Sequence, residues 1–178
     1  MNHSCAEPVD FTYNRDELQR VMFDIVKQNK LFERRYTIFA LPHEQHLAVL
    51  SVLGLKHDTE MFGVKIQKTV VGCLYPKQQS KIHIDVDESK VIPLTALNLP
   101  VTRCNDVIMN WYSVKPGCHS KTFISPKGLP VPLLDHSMST CIFSLQCNEP
   151  LIVNPSMFHD IVNNSNENQI AISIRACE

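Results

Sequence analysis

A run of short strand-like segments constrains the fold of this chain more than any other feature. From Phe62 onward, eight segments rich in Val, Ile and Thr are separated by turn residues, and no long helical pattern interrupts them. They are FGVKIQKTVVGCLY, KIHIDV, VIPLTALNLPV, DVIMNWYSV, STCIFSLQC, PLIVNP, FHDIVNN and QIAISIR. Short strands with frequent turns predict packed antiparallel sheets, and eight strands suit a jelly roll, the cupin-like double-stranded β-helix. The predicted fold class is therefore mainly β with N-terminal helices.

The N-terminal part has a different pattern. NRDELQRVMFDIVKQNKLF carries an apolar stripe at helical spacing, with Asn14 placed to cap it and Glu17 three residues later. PHEQHLAVLSVLGL begins with Pro42 and ends near Gly54, as a second helix would, and RYTIFAL between them reads as a strand. At 178 residues we expect a single domain. Residues 1–60 are predicted to form a helical or mixed extension packed on a core of residues 61–178.

Residues 115–135 interrupt the strand pattern. The segment KPGCHSKTFISPKGLPVPLLD contains several prolines and glycines and has no clear periodicity. A long irregular segment in a compact domain is typically a binding loop or a lid. We therefore predict a loop here that closes over a substrate.

Composition excludes several classes of function. A net charge of −1 gives no basic field for nucleic acid and no polybasic membrane patch. The seven cysteines include no Cys-x-x-Cys pair, which argues against a disulfide framework or a zinc–cysteine site and favours free thiols in a reducing compartment. The segment MNHSCAEPVD lacks the apolar core of a signal peptide, and no apolar run approaches a membrane span. These features predict a cytoplasmic protein.

The segment KIHIDV places two metal-binding residue types on one face of a strand. Side chains alternate along a strand, so His83 and Asp85 share a face. A third candidate, His159, lies in FHDIVNN. If this strand and QIAISIR form a hairpin about Asn166, His159 lies opposite Ser173 on a shared face. Arg175 has the same parity as Ser173.

This set of residues fits a known type of metal site. Two imidazoles and one carboxylate on one face leave three positions of an octahedral ion open, as in the facial triad of non-haem Fe(II) oxygenases. Arg175 could then pair bidentately with the far carboxylate of a chelating cosubstrate. Other interpretations stay open: His83 and Asp85 could be an ordinary hydrogen-bonded pair, Asp87 could be the true ligand, and Arg175 could be a surface charge.

Two further histidines lie one helical turn apart in HEQH. His43 and His46 could chelate a metal, but the zincin motif His-Glu-x-x-His is one residue longer. The preferred interpretation is a solvated first turn of the helix.

The stretches IHIDV, ALNLPVTRCNDVIMNWYSV, EPLIVNPSMFHDIVNNS and QIAISIRACE resemble the Fe(II)- and 2-oxoglutarate-dependent oxygenase superfamily, in particular small members from phages and marine microbes. The resemblance covers residues 80–178. It implies that His83, Asp85 and His159 bind iron and that Arg175 holds the C5 carboxylate of 2-oxoglutarate, helped by Ser173. It also implies hydroxylation of an unactivated C–H bond coupled to oxidative decarboxylation of 2-oxoglutarate to succinate.

The same resemblance implies, more loosely, that Asn98 and Tyr112 line the cosubstrate or substrate pocket. One departure is Gln169, where relatives often carry a second basic residue, and this leaves open whether 2-oxoglutarate is the cosubstrate. The alternatives are a non-catalytic ligand- or protein-binding jelly roll with a vestigial site, and a cupin-like metalloenzyme that uses another cosubstrate. The substrate, a small molecule or a side chain, is not identified, and exposed sheet edges are compatible with a homodimer.

Overall fold

The computed structural model describes residues 5–33, 36–61, 64–86, 95–103, 105–125 and 128–177. Two helices and a series of strands make up its regular structure. In chain order they are β1 (Ala6–Pro8), α1 (Arg15–Gln28), β2 (Tyr36–Ala40), α2 (His43–Val52), β3 (Glu60–Met61), β4 (Val64–Leu74), β5 (Gln78–Gln79), β6 (Ile82–His83), β7 (Thr95–Pro100), β8 (Val107–Val114), β9 (Lys121–Ile124), β10 (Pro130–Leu134), β11 (Ser139–Gln146), β12 (Leu151–Val153), β13 (Phe158–Asn163) and β14 (Gln169–Cys177).

The strands form two antiparallel sheets. In the first sheet the order is β1-β12-β7-β14-β4-β2, with β3 paired to β4. In the second sheet the order is β11-β8-β13-β6-β10-β9, with β5 paired to β13. Each of the eight predicted segments contributes a strand, and most neighbouring strands are not consecutive in the chain. The prediction of a mainly β jelly roll with N-terminal helices is confirmed.

The helices cover the outer face of the first sheet. Asn14 caps α1 by accepting a hydrogen bond from the backbone N–H of Glu17, as the sequence predicts. The largest buried apolar cluster joins α1 and α2 to β4, β7 and β14. It includes Leu18, Met22, Ile25, Val49, Leu50, Val71, Leu97, Leu99, Ile170, Ile172 and Ile174. Because alternate residues of β14 are packed in this cluster, the side chains between them face the opposite sheet.

The space between the two sheets is only partly apolar. Met109, Trp111, Leu151 and Val153 are buried there in a second cluster. Trp111 is fully buried. The rest of the interior contains polar side chains, including the candidate metal ligands identified from the sequence.

The predicted long loop at residues 115–135 is wrong where two short strands form. The segment contains β9 and β10, which pair antiparallel at the edge of the second sheet. The strand at β10 was not recognised from the sequence because it contains prolines, which lack the backbone N–H donor used in strand pairing. Proline keeps its acceptor, however, and the carbonyl of Pro132 accepts a hydrogen bond from Ile84 N at 3.2 Å. Next to it, Leu133 pairs with His83, so this hairpin supports a strand of the candidate site.

The predicted hairpin of β13 and β14 is also wrong. β13 lies in the second sheet and β14 in the first, so the chain crosses between the sheets after Asn163. The Asn163 side chain holds this crossing, since its amide donates to the carbonyls of Leu74, Tyr75 and Glu167. His159 and Ser173 therefore face each other across the barrel interior instead of pairing along a ladder.

The described residues include both helices and five of the cysteines. None of the helices in the described ranges has the length and apolarity needed to cross a bilayer. Free thiols are present at Cys5, Cys73, Cys118, Cys141 and Cys147. Burial raises the pKa of Cys73 to about 11, so its thiol is protonated and unreactive at neutral pH.

Candidate metal centre

Three of the predicted residues converge inside the barrel. His83 Nε2 lies 3.6 Å from Asp85 Oδ1, and His159 Nε2 lies 3.9 Å from Asp85 Oδ2. The two imidazole rings are 4.6 Å apart between centroids. All three ligand atoms lie within 4.8 Å of one another, and no other group of three His, Cys, Asp or Glu residues in the described ranges meets that spacing. Two imidazoles and one carboxylate are thus within coordination reach of a single ion.

Hydrogen bonds to backbone carbonyls fix the orientation and the tautomer of both imidazoles. His83 Nδ1 lies 2.7 Å from the carbonyl oxygen of Lys81, and His159 Nδ1 lies 2.8 Å from that of Met157. A carbonyl oxygen only accepts, so in the neutral ring Nδ1 carries the proton and Nε2 keeps its lone pair. Both lone pairs therefore belong to the nitrogens nearest Asp85. Metal-bound histidines are usually oriented by this type of hydrogen bond.

The third ligand is held by an arginine. Asp85 Oδ2 accepts a hydrogen bond from Arg175 Nη2 at 2.8 Å. Burial opposes ionisation of Asp85, but the positive charge of Arg175, with contributions from the neighbouring His83 and His159 imidazoles, outweighs it, so the Asp85 pKa lies below its ordinary value. Burial also lowers the pKa of His159 to about 4, with a further contribution from His83. At neutral pH Asp85 is a carboxylate and His159 a neutral imidazole, the forms that bind metal ions.

A cavity extends from the triad into the barrel. Asn98 and Ser173 pair directly across β7 and β14, and both line this cavity together with Arg175 and Gln169. Asn98 Oδ1 and Arg175 Nε are buried and have no hydrogen-bond partner among the described residues. Buried polar atoms are almost always paired, so this cavity is suited to an occupant that donates to Asn98 and accepts from Arg175. A carboxylate-bearing ligand would accept from Arg175 Nε, and a bound water would donate to Asn98 Oδ1.

Tyr112 does not belong to this cavity, contrary to the sequence-based expectation. It neighbours Trp111, which pairs with His159, and it therefore points to the other side of the second sheet. There its hydroxyl donates to Asp160 Oδ2 at 3.0 Å. Burial, followed by the negative charge of Asp160, raises the pKa of Tyr112.

Sequence reasoning missed the polar network around Asp160. This carboxylate is fully buried and also accepts hydrogen bonds from Gln79 Nε2 at 2.6 Å and Asn110 Nδ2 at 2.8 Å. It lies directly after His159, on the opposite face of β13. The network therefore supports the strand that presents His159. The signal that could have revealed it is the alternation of side chains along β13, which places the charged Asp160 on the face opposite the candidate ligand His159.

Two alternative ligands have different outcomes. Asp87 lies outside the described residues. His46 is buried and is not part of a solvated helical turn, because its Nδ1 lies 2.9 Å from Thr69 Oγ1 on β4. Burial, with the neighbouring rings of His57 and His43, lowers the pKa of His46 to about 4.

Comparison with known proteins adds information on the fold. No family model matches this chain. No curated protein matches it either. Among solved structures, a Pseudomonas putida prolyl-4-hydroxylase aligns with a TM-score of 0.51 at 7% identity, covering 99% of this chain and 95% of its own. This similarity supports the fold described above.

Two other solved structures align over part of their length. E. coli ycfD gives a TM-score of 0.44 at 13% identity, with 76% of this chain and 31% of that chain covered. Peruvianin-I, a cysteine peptidase from Thevetia peruviana latex, gives 0.35 at 11% identity, with coverages of 60% and 47%. The chain thus spans less than half the length of these two proteins, and neither similarity is strong enough to support an inference.

The charges that line the cavity are few. Among the described lining residues, only Asp85 and Arg175 carry a formal charge when both histidines are neutral. These two charges cancel. The remaining lining is amide, hydroxyl and apolar groups, so the lining carries no net charge when both imidazoles are neutral, the form in which they bind a metal ion.

Proposed function

We propose that this protein is an Fe(II)- and 2-oxoglutarate-dependent oxygenase that hydroxylates its substrate. The observation that carries the proposal is the pair of buried imidazoles whose Nδ1 atoms are bound to backbone carbonyls and whose Nε2 atoms flank Asp85. His83, Asp85 and His159 would hold iron through two nitrogens and one oxygen. This ligand set leaves open positions on one side of an octahedral ion.

Charge balance supports a dianionic cosubstrate. Metal binding requires neutral His83 and His159, and the charges of Asp85 and Arg175 then cancel each other. A divalent ion alone would leave two uncompensated positive charges in a buried site, which is costly. A dicarboxylate such as 2-oxoglutarate would restore neutrality.

The residues of this chain have distinct roles in the proposed site. Arg175 keeps Asp85 ionised and has a free Nε–H for one carboxylate of the cosubstrate. Ser173 and Asn98 lie beside it and offer further hydrogen bonds. Gln169 lines the same cavity but carries no charge, so charge recognition depends on Arg175. When bound, iron and 2-oxoglutarate supply the activation of dioxygen needed to hydroxylate a C–H bond.

The fold is compatible with this proposal, since a solved structure that aligns over nearly the whole chain is a prolyl-4-hydroxylase. A non-catalytic jelly roll with a vestigial site is less favoured because all three ligand residues and their carbonyl partners are intact. Substrate, oligomeric state and cellular location stay predictions.

Arg175→Ala separates cosubstrate binding from metal binding. We expect the affinity for 2-oxoglutarate to fall roughly 10- to 100-fold, because a charge-assisted hydrogen bond of about 1.5–3 kcal/mol is lost. Fe(II) should still bind because the three ligands remain, but more weakly because Arg175 hydrogen-bonds to Asp85, so 2-oxoglutarate is titrated at saturating Fe(II). Both constants can be measured by anaerobic calorimetry.

Two control variants sharpen this test. Arg103→Ala removes an exposed arginine that pairs with Asp16 and should change neither constant. Arg175→Lys keeps the charge but loses the planar fork, so its 2-oxoglutarate affinity should be intermediate. An Arg175→Ala protein that binds 2-oxoglutarate as tightly as the wild type would contradict the assignment.

A further inference from the structure

Three histidines form a second cluster on the helical side of the fold. His43 and His46 lie one turn apart on α2, and His57 follows in the segment after that helix. The rings of His43 and His46 each lie 5.2 Å from the ring of His57, measured between centroids. None of the three lines the barrel cavity. The iron-site proposal therefore leaves this cluster unexplained.

Hydrogen bonds orient two of these rings toward each other. His46 is 2% exposed, and its Nδ1 lies 2.9 Å from Thr69 Oγ1 while its Nε2 lies 3.1 Å from His57 Nδ1. On the far side of its ring, His57 Nε2 lies 3.6 Å from Asp58 Oδ1. Each ring thus directs one nitrogen at the other ring and one at an oxygen. Metal-bound imidazoles are usually supported by an oxygen partner of this kind.

The spacing is close to that required by a shared ion. A tetrahedral ion with bonds of about 2.0–2.1 Å separates two ligand nitrogens by roughly 3.3 Å. The 3.1 Å separation between His46 and His57 needs only a small opening. A hydrogen bond alone would explain that distance, but it would not require the ring of His43 to lie equally near His57.

We propose that His43, His46 and His57 bind a divalent transition-metal ion of the zinc class. Imidazole suits Zn²⁺, Ni²⁺ and Cu²⁺. His46 and His57 are the first two ligands, and His43, which is exposed on the first turn of α2, rotates to become the third. That rotation is needed because the three ring nitrogens do not yet lie within 4.8 Å of one another. Solvent on the exposed side provides the fourth ligand. The site is independent of the iron-site proposal.

Zn²⁺ stoichiometry tests this site in the full-length protein. Equilibrium dialysis against Zn²⁺ followed by elemental analysis would compare the wild type with His83→Ala, His57→Ala and the double variant. We expect His57→Ala to bind one equivalent fewer than the wild type, and the double variant to bind none. The deciding comparison is the number of Zn²⁺ equivalents bound by the wild type and by His57→Ala. This difference is expected even if the barrel site does not bind Zn²⁺.

Two further variants control for folding and for unspecific binding. His43→Ala alters an exposed side chain and should weaken Zn²⁺ binding at this cluster at least tenfold. His119→Ala removes an exposed histidine elsewhere and should leave the stoichiometry unchanged. Far-UV circular dichroism checks that each variant is folded. Wild-type stoichiometry in folded His57→Ala, or an unchanged Zn²⁺ affinity in His43→Ala, would overturn the proposal.

Discussion

Replacing His159 with alanine is expected to abolish Fe(II) binding in the barrel. The variant would lose one of three protein ligands, whereas mutation of outer-sphere groups already costs about 10- to 100-fold in metal affinity. We therefore expect a loss of roughly 100-fold or more, together with loss of any 2-oxoglutarate-dependent activity. His83→Ala should behave in the same way. Anaerobic calorimetry with Fe(II) measures the effect directly.

This result needs a control for indirect damage. His159 is 3% exposed, so its truncation leaves a small cavity in the barrel, and far-UV circular dichroism must show an unchanged fold. His119→Ala matches the chemical change at an exposed position and should bind Fe(II) like the wild type. Retained iron affinity in both His83→Ala and His159→Ala would rule out the triad.

Asp160→Ala is expected to lower the free energy of unfolding by about 3 kcal/mol. The substitution removes a fully buried carboxylate and leaves the donors of Gln79, Asn110 and Tyr112 without their acceptor. Orphaned buried donors are costly because they lose their hydrogen bonds to water without replacement. Urea denaturation measures this difference in unfolding free energy from the shift in the midpoint concentration, provided that the slope of free energy against urea concentration is unchanged.

Graded controls separate this network from general effects of substitution. Tyr112→Phe removes a single hydrogen bond and should cost about 1 kcal/mol. It should not alter 2-oxoglutarate affinity, because the hydroxyl lies on the outer face of the second sheet. Asp10→Ala changes an exposed carboxylate and should stay within roughly 0.5 kcal/mol of the wild type. If Asp160→Ala changed the free energy of unfolding as little as Asp10→Ala does, the stabilising role of this network would be contradicted.

Local patterns were sufficient to predict the main elements and most of the site. Alternation along strands depends only on backbone geometry, so the shared orientation of His83 and Asp85 could be predicted even though β6 ends at His83. The same applies to Ser173 and Arg175 on β14. Caps and turn residues are equally local, which is why the start of α1 at Asn14 agrees with the structure.

Long-range pairing could not be predicted from such patterns. Nothing local distinguishes a hairpin from a crossing between sheets, and the decisive contacts of Asn163 reach residues almost 90 positions away. Tyr112 was expected at the cavity from the resemblance alone, and the register of β8 against β13, which turns its side chain to the other face, is not a local feature. The burial of His46 likewise depends on Thr69, which a helical pattern alone does not reveal.

Titration of the Fe(II)-loaded protein with 2-oxoglutarate under anaerobic conditions is the most direct test of the proposed metal centre. If iron binds to His83, Asp85 and His159 with open positions on one side, the cosubstrate should chelate it. A visible metal-to-ligand charge-transfer band should then appear, saturate at one equivalent, and be absent in His159→Ala. Iron that binds without producing this band at saturating 2-oxoglutarate would contradict the proposed cosubstrate, and failure to bind iron would contradict the site itself.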